Sequence, residues 1–90
     1  MKFWYTYVLL SKKDNKHYIG STDDLRRRKR QHDNGEVTST SYRRPLEIIY
    51  YEAIPDEHRA RMREKYFKTN WGRRFLKKQI GFTGQIDPVE

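Results

Sequence analysis

The chain has 90 residues and carries 20 Lys and Arg against 12 Asp and Glu, a formal charge of +8 at pH 7. Only 34% of it is hydrophobic, yet 14% is aromatic, more than a chain that stays disordered would carry. Cysteine is absent, which excludes disulfide frameworks, thiolate zinc sites and cysteine nucleophiles. The basic excess points to a polyanionic partner, with nucleic acid ahead of an anionic membrane. No apolar run approaches the length of a membrane span, and Met1–Leu10 is too short and too rich in Tyr for a signal peptide. The expectation is one small domain over residues 1–80, a loose tail over 81–90, a cytoplasmic location and no membrane partner.

In chain order, residues 3–11 are aromatic and aliphatic and read as a buried strand. Lys12–Lys16 is a polar turn and His17–Ser21 a short second strand, so the two form a hairpin. Gly20 marks a place where backbone must come close to something else. Ser21 or Thr22 offers an N-cap and Asp23-Asp24 suits a helix N-terminus, so a helix is expected over 23–34, closed by Asn34-Gly35. Residues 35–45 read as a loop and 46–52 as the third strand. Pro55-Asp56-Glu57 opens a second helix that runs to residue 69; Trp71-Gly72 breaks it, and Arg73–Ile80 forms a short third helix. The order ββαβαα describes an α+β fold, a three-stranded antiparallel sheet flanked by helices.

Both longer helices carry polar residues where an apolar stripe should run. The large apolar residue of the first is Leu25, and its i+3, i+4 and i+7 neighbours are Arg28, Lys29 and His32. Either the helix is merely solvated, or Leu25 docks it and Arg28 and His32 point into a cleft; their place on the docking face favours the cleft. In the second helix Glu64 sits between Ala60 and Phe67 on one face, beside Arg63. A carboxylate there needs a partner. An arginine salt bridge would serve, or one Mg²⁺ completed by water and substrate phosphate. Tyr5 and Tyr7 share a strand face. Such tyrosines usually pack, but a phenol near arginine and metal can have its pKa of about 10 lowered and accept a proton.

These residues coincide with a known pattern. Tyr18-Ile19-Gly20 follows Tyr5-Thr6-Tyr7 with ten residues between Tyr7 and Tyr18. The run Gly20-Ser21-Thr22, Leu25, Arg28, His32 comes next, then Tyr42–Glu52, then Ala60–Lys65. The sequence resembles the GIY-YIG endonuclease superfamily, in particular its small stand-alone bacterial members, over residues 3 to 80. It departs from the pattern at Tyr5 and Thr6, where Gly and Ile are usual, and at Lys29, where many members carry a large apolar residue.

The resemblance implies a metal-dependent endonuclease. It would hydrolyse phosphodiester bonds, selecting DNA by structure more than by sequence, in repair, recombination or processing. Glu64 would bind one divalent ion, Mg²⁺ or Mn²⁺. Tyr7 or Tyr18 would orient or deprotonate the attacking water, with Tyr7 favoured as acceptor. Arg28 would stabilise charge on the phosphate oxygens, and His32 would assist proton transfer or hold a tyrosine. Gly20 and Leu25 would shape the site, and Asn70 would be the counterpart of a polar residue that follows the metal site in larger members.

Among the cations, a subset of Arg26, Arg27, Lys29, Arg30, Arg43, Arg44, Arg73 and Arg74 is expected to contact phosphates, of DNA before RNA. Trp71 and Tyr42 are expected to pack in the core, with stacking on an unpaired base as the alternative. A monomer or weak dimer is expected, and a non-catalytic nucleic-acid-binding module of the same fold is the second reading.

Overall fold

The strand at the centre of the fold has no side left for water. A computed structural model describes residues 1–81; the expectation for residues 82–90 lies outside the described residues. In β1 (Trp4–Ser11) every residue from Thr6 to Ser11 is buried. It pairs antiparallel with β2 (His17–Thr22) on one side and β3 (Leu46–Ile54) on the other, giving the order β2-β1-β3 and leaving β2 and β3 as edges. The hairpin turn is tied by Ser11, whose Oγ accepts from the amides of Lys13 and Asp14 and donates to the Arg43 carbonyl at 2.6 Å.

Alternation along β1 splits the core in two. Tyr7 and Leu9 pack with Leu46, Tyr18, Ile48 and Leu25, on the face covered by α1 (Leu25–Asp33). Val8 packs with Ile19, Phe67 and Leu76 on the opposite face, under α2 (Glu57–Phe67) and α3 (Asn70–Ile80). Consecutive Ile48 and Ile49 serve the two cores separately. Ala60, fully buried, lets α2 lie close to β1, where Thr6 Oγ1 donates to the Ala60 carbonyl at 2.7 Å. Arg63, the neighbour of Glu64, is structural. It makes paired hydrogen bonds to Glu52 at 2.8 and 3.1 Å, and its guanidinium lies 4.7–5.0 Å from the rings of Tyr66, Phe67 and Phe75.

The ββαβαα order is as the sequence reads; several boundaries differ. The first helix is capped by Asp24, not Ser21 or Thr22. Its carboxylate accepts from the Arg27 amide, while Thr22 stays in β2. The 35–45 stretch includes a 3-10 turn at Ser41–Arg43, and β3 runs on to Ile54. The break between the last two helices falls at Lys68-Thr69, and Trp71 and Gly72 belong to the first turn of α3. Thr69 makes that start by accepting from the Gly72 amide at 3.1 Å. Gly72 is therefore not a helix breaker but a close-packing residue. A Cβ there would stand 1.9 Å from the Tyr66 carbonyl oxygen and 2.6 Å from the Phe67 Cα. Both obstacles are backbone, so α3 can meet α2 only without a side chain at this position. Gly72→Ala should lower the unfolding free energy by about 1–3 kcal/mol or more in urea titration, despite the better helix propensity of Ala.

Candidate active site

The site begins with a register pair. Tyr7 on β1 stands opposite Gly20 on β2, and its phenol lies across the glycine. A Cβ at Gly20 would be 2.6 Å from the Tyr7 hydroxyl oxygen and 2.8 Å from its Cζ. What must come close to Gly20 is thus the Tyr7 ring. Tyr18, two residues earlier on β2, shares this face, and its ring centroid is 6.4 Å from that of Tyr7.

Across the sheet face, α1 supplies the next groups. Leu25 docks the helix onto Tyr7 and Leu9, and one turn later Arg28 lies beside the hydroxyls of Tyr7 and Tyr18 and interacts with both. A further turn brings His32, fully buried, with Nε2 2.9 Å from the Tyr7 hydroxyl and Nδ1 2.7 Å from Thr40 Oγ1. The His32 ring also meets Tyr18 edge-on at 5.2 Å. The apolar stripe of α1 therefore continues as a polar one facing inward. Lys29 stays out of that stripe, its Nζ held along the helix by both Asp33 oxygens at 2.8 and 2.9 Å.

Burial governs the protonation states. It pushes the Tyr7 phenol up to about 12, outweighing the interaction with Arg28. Without a bound metal, Tyr7 is therefore neutral near pH 7. Burial, helped by the Arg28 charge, pushes His32 down to about 4, so the imidazole is neutral as well. These states fix the hydrogens. Thr40 Oγ1 donates to the Val37 carbonyl at 3.4 Å, so it accepts from His32 Nδ1–H, and Nε2, left without a proton, accepts from the Tyr7 hydroxyl. Arg28 Nη1 itself donates to Gln31 Oε1 at 3.0 Å.

Glu64 approaches from the other face. It lies one turn beyond Ala60 on α2 and reaches the rim of edge strand β2, where Ser21 Oγ donates to Oε1 at 2.8 Å. Lys68 holds Oε2 at 3.1 Å, so its ion pair is with a lysine one turn on, not with an arginine. Glu64 is near enough to Tyr7 to raise its pKa. It also lines an outward groove with His58, Arg61, Met62, Lys65 and Lys68. No three His, Asp or Glu side chains converge as a cage among the described residues. The donor set fits a hard ion such as Mg²⁺ held by one carboxylate, with water and substrate oxygens for the rest.

The cations read from sequence scatter. Arg26 and Arg30 are exposed, with no ion pair among the described residues. Arg27 pairs with Asp23 at 2.8 Å, and Arg44 donates to the Asp33 and Ser41 carbonyls. Arg73 donates to the Lys68 carbonyl that ends α2, and Asn70 accepts from the same guanidinium. Arg43 is a correction: it is 4% exposed, bonded to Asp14 and the His17 carbonyl, and works inside the fold. Trp71 and Tyr42 are corrected in the opposite sense, being 70% and 66% exposed. Sequence reading missed Thr40 and Ser21. Thr40 lies in a Ser/Thr-rich stretch with no periodicity to tie it to His32, and Ser21, at the end of the second strand, has nothing in the sequence to tie it to Glu64.

The sheet thus carries two tyrosines facing an arginine and a histidine on one helix, with a glutamate on the next. The family model described as the GIY-YIG catalytic domain matches residues 3–78, and the chain belongs to that family. Similar proteins include the UPF0213 protein YazA of Bacillus subtilis, 36% identical over 63 residues, which cover 69% of this chain and 64% of that one. The UPF0213 protein of Lactiplantibacillus plantarum is 41% identical over 71 residues, covering 76% and 69%. That of Bacillus pumilus is 38% identical over 71 residues, covering 78% and 70%. The matched stretch thus spans about two thirds of the length of these relatives. No solved structure matches the chain. Among the described residues no helix is long and apolar enough to cross a membrane.

Two outcomes are expected. His32 titrates near 4 when folded against an ordinary 6.5, so the unfolded chain binds more protons between these values. Its contribution is complete above about pH 6.5 and is lost as pH falls toward 4, by about 3 kcal/mol. Urea titrations across this range should show the loss in wild type and a flatter profile in His32→Gln. Thr40→Val, which leaves the His32 Nδ1–H buried without its acceptor, should cost about 1–3 kcal/mol, and Thr40→Ser should recover most of it.

Proposed function

We propose that this protein is a metal-dependent endonuclease that hydrolyses phosphodiester bonds, selecting DNA by structure. The observation that carries the reading is the buried Tyr7–His32–Thr40 hydrogen-bond chain on the sheet face that α1 covers, with Arg28 one turn before His32. Such a chain is expensive to bury unless the placement of its phenol matters, since each member is a buried polar group needing its partner.

The roles divide by exposure. Tyr7 is 1% exposed, and its hydroxyl already donates to His32. The preference for Tyr7 as the group that meets water therefore gives way to Tyr18, half-buried on the edge strand. Tyr18 orients the attacking water. As the water oxygen bonds to phosphorus and the opposite P–O bond breaks, the water proton leaves through the Tyr18 oxygen to solvent. The departing oxygen is protonated from solvent. Arg28 faces the charge that develops on the phosphate oxygens, and Tyr7 with His32 keeps its guanidinium in place. Glu64 would hold Mg²⁺ or Mn²⁺, with Ser21 orienting the carboxylate. The ion, when bound, supplies positive charge to the phosphate and the leaving oxygen. The basic groove beside Glu64 suits the flanking phosphates.

The test is cleavage of single-stranded, duplex, flap and branched DNA and of single-stranded RNA, in Mg²⁺ and in Mn²⁺. Arg28→Ala should lower the rate about 100- to 1,000-fold. Glu64→Gln should abolish the metal response, and Tyr18→Phe should lose more rate than Tyr7→Phe. Tight binding with no cleavage in either metal would make the protein a non-catalytic binding module.

A further inference from the structure

Trp71 is out of place for a structural residue. It is 70% exposed in the first turn of α3, although tryptophan buries more area than any other side chain when it packs. One face of the indole carries the Arg74 guanidinium, 5.2 Å from the ring centre, and most of the rest is open. Arg74 and Lys78 follow at i+3 and i+7 on the same helix face, and both are exposed. Lys77 extends the same charge. The indole therefore sits among cations of one sign. A protein-binding hot spot would be expected to have a mixed polar rim; this surround matches a phosphate backbone.

The stripe is close to the site. Gly72 presses the start of α3 against the end of α2, and Lys68, three residues before Trp71, reaches back to Glu64 at 3.1 Å. Three residues span at most about 11 Å, so Trp71 stands within a few nucleotides of the carboxylate read as the metal holder.

We propose that Trp71, with Arg74 and Lys78, is a stacking platform for an unpaired nucleotide of the strand that enters the site. A base inside a duplex has both faces covered by its neighbours and cannot lie on the indole. A base in a single strand, flap or frayed end can, while Arg74 and Lys78 take the adjoining phosphates. The platform thus supplies preference for unpaired substrates without reading their sequence. This deepens the nuclease reading by naming its substrate class, but the binding does not depend on hydrolysis.

The experiment is fluorescence anisotropy of the full chain, in EDTA so that nothing is cut. Labelled single-stranded DNA, single-stranded RNA of the same sequence and a blunt DNA duplex are compared. Trp71→Ala should weaken binding of single strands about 5- to 100-fold and leave the duplex within about twofold, with Trp71→Phe close to wild type. Intrinsic emission of a Trp4→Phe protein, which keeps only Trp71, should be quenched by the single strand. Loss on DNA alone or RNA alone supports the platform and identifies the acid it serves. Equal loss on single strand and duplex, or no loss on either, overturns it. Trp71-dependent selectivity in a protein that cuts nothing would remove the hydrolytic reading and leave the platform standing.

Discussion

A phenol laid across a glycine holds this site together. Tyr7 must occupy the space where any other residue at position 20 would put its Cβ, and in doing so its hydroxyl is brought to His32 and Arg28. The packing decides the chemistry. Because the ring is buried between strand and helix, the hydroxyl stays protonated and donates to the imidazole. The direction of each hydrogen bond, out to the Val37 carbonyl, follows from that one constraint. A side chain at position 20 would cost more than packing, since it would displace the group on which Arg28 rests.

The second feature is that the site is assembled at the rim of an edge strand from both faces of the sheet. Tyr18 and Gly20 of β2 face α1, while Ser21, next in the chain, turns to Glu64 on α2. A strand alternates its side chains, so neighbouring residues can serve two opposite layers. The edge is the one place where groups from the two layers can meet a ligand without crossing the sheet. Among the described residues no ion pair joins the carboxylate to Arg28, so the guanidinium keeps its charge for a phosphate. Glu64 pairs with Lys68 instead, a side chain on a flexible stem in a partly exposed position, which can be exchanged for another cation.

Much of this was legible in the sequence. The apolar run of β1 and the polar interruptions of the α1 and α2 stripes put Leu25, Arg28, His32 and Glu64 on docking faces, because helical periodicity is a property of neighbours in the chain. Other features depend on contacts between distant segments and leave no periodic trace. Thr40 comes from an irregular stretch to meet His32, eight residues earlier. Gly72 looks like a helix breaker in isolation and becomes a packing requirement only when Tyr66 and Phe67 fold against it. Arg43 reads as surface charge until the hairpin turn wraps it with Asp14. The burial that raises Tyr7 likewise exists only once both layers are in place.

The cations show why net charge is a poor guide to an interface. The sequence carries a formal +8, but individual basic groups are spent in quite different ways. Arg63 is stacked among three rings and bound to Glu52, Arg43 is internal, and Lys29 and Arg27 are tied along or beside α1. What remains outward is concentrated on the far side of α1, around the Glu64 groove and along α3. A long-range field attracts any polyanion from all of these. Only the groove and the α3 stripe combine charge with a feature that could fix one strand in register, a carboxylate able to take a metal and an open indole. The steering charge and the positioning charge are therefore separate sets of residues. Salt would weaken the first everywhere and leave stacking, the part that discriminates between paired and unpaired bases, largely in place.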